Sequence, residues 1–160
     1  MKITIVGAGN MGSSLVKQLS SAGHEIRVTA RDIAKAQALA GTNPKITAVP
    51  AEQALGSSDV VIVATGYADA VPALQSLGNL AGKVVIDITN PLTADYMGLT
   101  IGHSISAAEE IAHAIPDALV VKAFNTVFAP VLAAGPELDG NQVQGFLRPT
   151  ASAHARLCVL

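Results

Sequence analysis

At 160 residues the chain is long enough for one well-cored domain and short for two. Half of it is apolar, 14% is charged and 3% aromatic, the composition of buried strands and Ala-rich helices, and a formal net charge of −2 gives no reason to expect a nucleic-acid partner. No apolar run reaches the roughly 20 residues of a membrane span, the N-terminal run ends at Gly7 without a signal-peptide pattern, and the single Cys158 has no internal disulfide partner. The expectation is a cytoplasmic protein with no membrane attachment.

Residues 2–6 read as a short β-branched strand running straight into Gly7-Ala8-Gly9-Asn10-Met11-Gly12, the spacing of a dinucleotide-binding fingerprint. Gly7 permits the tight turn off the strand, Gly9 clears the approach of a pyrophosphate to backbone, and Gly12 lets helix and strand pack closely. A helix follows, with Leu15, Val16 and Leu19 on one face. The alternative for this segment alone is a Gly-rich turn with no ligand.

Ala22-Gly23-His24 stops that helix and residues 25–29 form a second strand, completing a β-α-β unit. Asp32 is placed to cap a helix over 33–40 that ends at Gly41. A weaker strand at 45–49 and a short helix at 50–55 follow. Residues 59–64 are an almost unbroken β-branched run, as in a central strand covered on both faces.

The next helix is expected at 68–77, with Pro72 tolerated only in the first turn. A fifth strand at 83–88 leads into a loop at 89–105 long enough to be a working loop. Ser106 and Glu109 have capping-box spacing at the start of a helix reaching Ala114. A sixth strand at 119–123 and a short helix at 127–134 complete the pattern. This alternation predicts a doubly wound parallel sheet, a single Rossmann NAD(P)-binding α/β domain over residues 1–144. Residues 145–160 show no strand or helix period and read as an irregular tail, the product of a truncation or a frameshift.

The end of the second strand bears on the cofactor. An acidic residue there takes the ribose 2′-hydroxyl of NAD, whereas NADP-binding chains lack that charge and place Arg nearby. With Ala30 in the acidic position, Arg31 is set to take a 2′-phosphate and Lys35 adds a second positive charge. The competing alignment puts Asp32 on the ribose and favours NAD; Asp32 is better explained as a helix cap, so NADP(H) is the expected cofactor.

Several segments together resemble the deazaflavin-dependent NADP reductases, and the NADPH domains of membrane ferric reductases are similar. They are the glycine motif, Ala22-Gly23-His24-Glu25, Asp87-Ile88-Thr89-Asn90-Pro91-Leu92 and Val121-Lys122-Ala123-Phe124-Asn125-Thr126. The resemblance covers residues 1–144. It implies hydride transfer between NADPH and a flavin or deazaflavin ring as second substrate, a reaction in which both reactive carbons belong to cofactors. No catalytic side chain is then expected.

The loops Thr65-Gly66-Tyr67, Thr89-Asn90-Pro91 and Phe124-Asn125-Thr126 follow parallel strands and gather at one sheet edge. Asn90 and Asn125 are assigned to the nicotinamide ribose or carboxamide, and Tyr67 and Phe124 to apolar walls; the alternative for each is a loop cap or a core aromatic. Two features depart from the family pattern. Ala30 stands where a small hydroxyl residue commonly precedes the Arg, and the C-terminal strand, turn and helical portion that help form the second-substrate pocket are replaced by the tail.

His24, His103, His113 and His154 show no metal-ligand spacing and no nucleophile motif, so no metal is expected. His103 remains a weak candidate for a ring contact. Two other readings compete: an NADP(H)-binding module or sensor without catalysis, and an imine reductase of the pyrroline carboxylate kind, which needs a C-terminal helical dimer domain. A sheet edge left open by missing last strands makes a homodimer the expected assembly.

Overall fold

A computed structural model describes residues 1–102, 104–138, 140–143 and 147–149. The strands are β1 (Lys2–Val6), β2 (Glu25–Thr29), β3 (Ile46–Ala48), β4 (Val60–Val63), β5 (Val84–Asp87) and β6 (Leu119–Ala123). The helices between them are α1 (Asn10–Ser21), α2 (Ile33–Ala40), α3 (Ala51–Ala54), α4 (Tyr67–Gln75) and α5 (Ala107–Ala114), with α6 (Ala129–Ala134) after β6. Two two-residue strands, β7 (Glu137–Leu138) and β8 (Asn141–Gln142), pair antiparallel, and β9 (Leu147–Pro149) returns to the main sheet.

The sheet order is β3-β2-β1-β4-β5-β6-β9. The first six strands of the chain are parallel, so each connection must cross the sheet face, and helices cover both sides. β4 shows why its sequence has no polar alternation. Val61 and Val63 pack into a cluster with Leu74 of α4 and Ile111 of α5, while Val60 and Ile62 face Leu15 and Val16 of α1 and Ala36 of α2. The one buried polar side chain of β1, Thr4, is satisfied by Ala54 O at 2.6 Å and Ser58 Oγ at 2.7 Å.

Local signals explain the helix starts. Asp32 Oδ1 accepts a hydrogen bond from Ala34 N at 3.1 Å, as its capping assignment requires. At α5 the Ser106 N–H donates to Glu109 Oε2 at 2.8 Å and Glu109 N donates to Ser106 Oγ at 3.2 Å, a complete capping box. Ser106→Ala should therefore cost about 1 kcal/mol, read as a fall of about 2–4 °C in Tm with the helical circular-dichroism signal otherwise unchanged. α6 is held differently. Lys17 Nζ and Gln18 Nε2 of α1 donate to Ala133 O at 3.0 and 3.1 Å, clamping the last turn of α6 and placing a cation at its carbonyl end.

Two expectations need correction. Pro72 lies inside α4, beyond the first turn. The helix tolerates it because Ala68 and Pro72 are both exposed, so water can take the hydrogen bond that Pro72 does not donate. The tail does contain a strand: Leu147–Pro149 pairs antiparallel with β6, Val121 opposite Pro149 and Ala123 opposite Leu147. The edge beside β6, whose opening motivated the homodimer, is occupied by this strand. Pro149 fits there because an edge strand can spare one N–H. The rest of the tail, with His154 and Cys158, lies outside the described residues, as does His103.

Candidate cofactor site

The chain runs from β1 outward through β2 to β3, returns, and runs from β4 outward through β5 to β6, so the strand order reverses between β1 and β4. Ligands of such sheets bind in the crevice beyond the carboxyl ends of the strands at that switch point. Here Gly7-Ala8-Gly9 leaves β1 beside Ala64-Thr65-Gly66 leaving β4. Gly7 N donates to Thr29 O at 2.8 Å, tying the turn to β2, with φ at +117°. A Cβ on Gly7 would stand 2.5 Å from Ala64 O, and one on Gly12 would stand 2.1 Å from Gly7 O. These two glycines are demanded by the fold itself.

Gly9 is different. It is the N-cap of α1 at φ −81° and ψ −168°, with no side-chain cap, and a Cβ there would meet nothing within 4 Å. The space in front of it is open, and the first-turn N–H groups of a twelve-residue helix bring partial positive charge to it. This open, uncapped helix N-terminus fits a pyrophosphate.

Gly7, Gly9, Ala30, Arg31, Lys35, Thr65 and Gly66 line one cleft of about 570 Å³, and Asp69 and Pro72 of α4 form its opposite wall. Arg31 reaches across it, Nη1 lying 3.6 Å from Asp69 Oδ1, with side chains 90% and 58% exposed. Lys35 is exposed on the first turn of α2. Asp32 also borders the cleft but commits Oδ1 to its capping bond. Asn10, Met11 and Gly12 form the first turn of α1; the Asn10 carbonyl accepts from Ser13 and Ser14 hydroxyls, and Met11 packs on the core. Tyr67 opens α4, half-buried, and does not line the cleft.

Asn90, Pro91, Phe124 and Asn125 lie at the same sheet edge beyond β5 and β6, outside that cleft. The structure joins them: Asn90 Nδ2 donates to Asn125 O at 2.9 Å. Phe124 packs against the core cluster with φ at +59°, a left-handed conformation that a bulky residue rarely adopts. Pro91 O accepts Thr100 N at 2.7 Å, closing a hairpin-like loop with Leu92 bridged to Leu99. Within it the Thr93 hydroxyl and then the Met97 N–H hold the Asp95 carboxyl below its ordinary range.

Beneath these loops sits a group that sequence reasoning missed. Asp87 is fully buried at the end of β5, its Oδ2 2.8 Å from Lys122 Nζ and its Oδ1 2.8 Å from Thr89 N. Lys122 also donates to Thr89 O. Thr89 is thus gripped at both its N–H and its C=O, which fixes where Asn90 leaves the strand. The available signal was a charged residue at the same place in two otherwise apolar strands; β5 and β6 set Asp87 directly opposite Lys122. Asp69 was missed as well, an acidic residue in the first turn of α4.

Among the described residues no helix is long and apolar enough to cross a membrane, and no three His, Cys, Asp or Glu residues cluster as metal ligands. Residues 2–91 match the model of a protein family described as NADP oxidoreductase, coenzyme F420-dependent. Metalloreductase STEAP3 of Rattus norvegicus is 35% identical over 143 residues, covering 88% of this chain, which spans 28% of that longer protein. The crystal structure of a putative F420-dependent NADP reductase from Arthrobacter sp. FB24 superposes with a TM-score of 0.84 at 28% identity, over 99% of this chain and 78% of that one. A reductive aminase from Aspergillus terreus in complex with NADPH and ethyl levulinate shares 25% identity at a TM-score of 0.59, over 76% of this chain and 40% of that one. With the fingerprint, the switch-point cleft and the family match in agreement, the chain belongs to the coenzyme F420-dependent NADP oxidoreductase family and has its Rossmann fold.

Proposed function

We propose that the protein binds NADP(H) across the switch point and passes a hydride between the nicotinamide and a flavin or deazaflavin ring. The observation that carries the reading is the open, uncapped N-terminus of α1 at Gly9 facing a cleft whose rim holds Arg31 and Lys35. The backbone of Gly9, Asn10 and Met11 holds the pyrophosphate, and Arg31 and Lys35 hold the 2′-phosphate beside Ala30. Thr65 and Gly66 flank the dinucleotide, and Tyr67, which opens α4 outside the cleft, makes no contact with it. Asn90, through the Oδ1 that its bond to Asn125 O leaves free, and the Asn125 side chain orient the nicotinamide end, with Pro91 and Phe124 as apolar walls.

Bound NADPH supplies the hydride; the chain's own task is to hold two rings in register and keep water from them. Protein mixed with NADPH and either flavin or deazaflavin should bleach the acceptor at a rate set by protein concentration. Tight NADPH binding without turnover on any acceptor would instead identify a binding module. Arg31→Ala should weaken NADPH by about ten- to a hundredfold, the worth of a charge-assisted contact, while NADH changes little. Equal losses for both cofactors would remove Arg31 from the phosphate site.

A further inference from the structure

We propose that Asp69 is a specificity-determining residue that draws Arg31 across the cleft and so holds the preference for NADP(H) over NAD(H) below what Arg31 and Lys35 alone would set. The inference rests on the NADP(H) reading of this cleft. Asp69 belongs to the cleft by position as well as by charge. It lies in the first turn of α4, its N–H donates to Gly66 O at 3.1 Å, and its Oδ2 lies 4.0 Å from where a Gly66 Cβ would be. The carboxylate therefore overhangs the Thr65-Gly66 loop and faces the opposite rim, where Arg31 Nη1 is 3.6 Å from its Oδ1.

Four charged side chains border the cleft: Arg31, Asp32, Lys35 and Asp69. Asp32 spends one oxygen on the cap of α2. Asp69 has no such local duty in the described contacts, and its recorded partner is the guanidinium that the 2′-phosphate needs. The two anions want the same fork of N–H donors, so they compete for it. They also repel each other, because a phosphate monoester brings nearly two negative charges at neutral pH. An exposed pair at this separation is weak and yields to the phosphate, yet its loss is subtracted from the binding of NADP(H) only. NAD(H), with a neutral 2′-hydroxyl, leaves the Arg31–Asp69 pair in place.

The test is the dissociation constants of NADP+ and NAD+ for the wild-type protein, Asp69→Asn, Arg31→Ala and the double variant, by calorimetry at low and at physiological salt. Asp69→Asn keeps the side-chain shape and removes the charge. It should tighten NADP+ about three- to tenfold at low salt, shrinking as salt screens the charges, and leave NAD+ within about twofold. The gain should shrink in the Arg31→Ala background to the part that comes from direct repulsion between the carboxylate and the phosphate. An unchanged NADP+ to NAD+ ratio overturns the assignment, as does weaker binding of both cofactors, which would make Asp69 a ribose ligand. A gain that persists undiminished without Arg31 overturns the route through that residue. Wild-type protein that binds neither dinucleotide overturns the NADP(H) reading itself, an outcome distinct from binding with an unchanged ratio.

Discussion

Gly9→Ala should leave the fold and its thermal stability intact while removing most of the affinity for NADP+. The backbone at Gly9, φ −81° and ψ −168°, is extended and open to any L-residue, and the added methyl would meet nothing within 4 Å. In the free protein the substitution is therefore unstrained, and by restricting the unfolded chain it favours folding by up to about 1 kcal/mol. A bound pyrophosphate changes the outcome, because the methyl then occupies the space through which the phosphate oxygens reach the N–H groups of α1. Losing one such charge-assisted bond costs about 1.5–3 kcal/mol, a drop of about ten- to a hundredfold in affinity. Thermal melts and NADP+ titration of the same preparation read both quantities. Unchanged affinity would mean that the pyrophosphate does not lie over Gly9.

Gly12→Ala is the contrasting variant. Its Cβ would stand 2.1 Å from Gly7 O, a backbone atom that cannot rotate away, so α1 and the turn must separate. Overpacking of this kind costs about 1–3 kcal/mol, and Tm should fall together with NADP+ binding. One motif thus holds a glycine kept for the ligand and a glycine kept for the fold, and only the melting curve tells them apart.

That division shows what was legible beforehand. The glycine spacing announced the turn because it stood between a β-branched strand and a helix whose apolar residues share a face. Asp32 and the Ser106 and Glu109 pair were legible for the same reason: caps act over two or three residues, within reach of a reading along the chain. The unread features depend on residues far apart in sequence. Arg31 meets Asp69 only because α4 follows a strand adjacent to β1, and Asp87 meets Lys122 only through the β5 to β6 register. β9 was invisible because three residues including a proline have no period, and backbone pairing with β6 needs no particular side chains. The loops carrying Asn90 and Asn125 were read correctly as neighbours at one sheet edge, but the bond between them was not.

Lys122→Met should be among the most destabilising single substitutions in the chain. The lysine side chain is 19% exposed and its partner Asp87 fully buried, so the methionine would strand a carboxylate with the Thr89 N–H as its remaining recorded donor. Removing one partner of a buried pair costs about 3–5 kcal/mol, measurable as a lowered urea midpoint. Replacing both charges, in Asp87→Leu with Lys122→Met, should restore much of that loss, since an apolar pair avoids the desolvation that the ion pair must overcome. The double variant then isolates position from stability. With no lysine to hold Thr89 C=O and no carboxylate to hold its N–H, the strand exit that aims Asn90 is no longer pinned. The 2′-phosphate rim is untouched, so NADP+ affinity should stay within about threefold while turnover with the ring acceptor falls by at least about tenfold, as misplacement of the reacting rings requires. A double variant that is stable, binds NADP+ and turns over at the wild-type rate would show that the buried pair serves the fold alone.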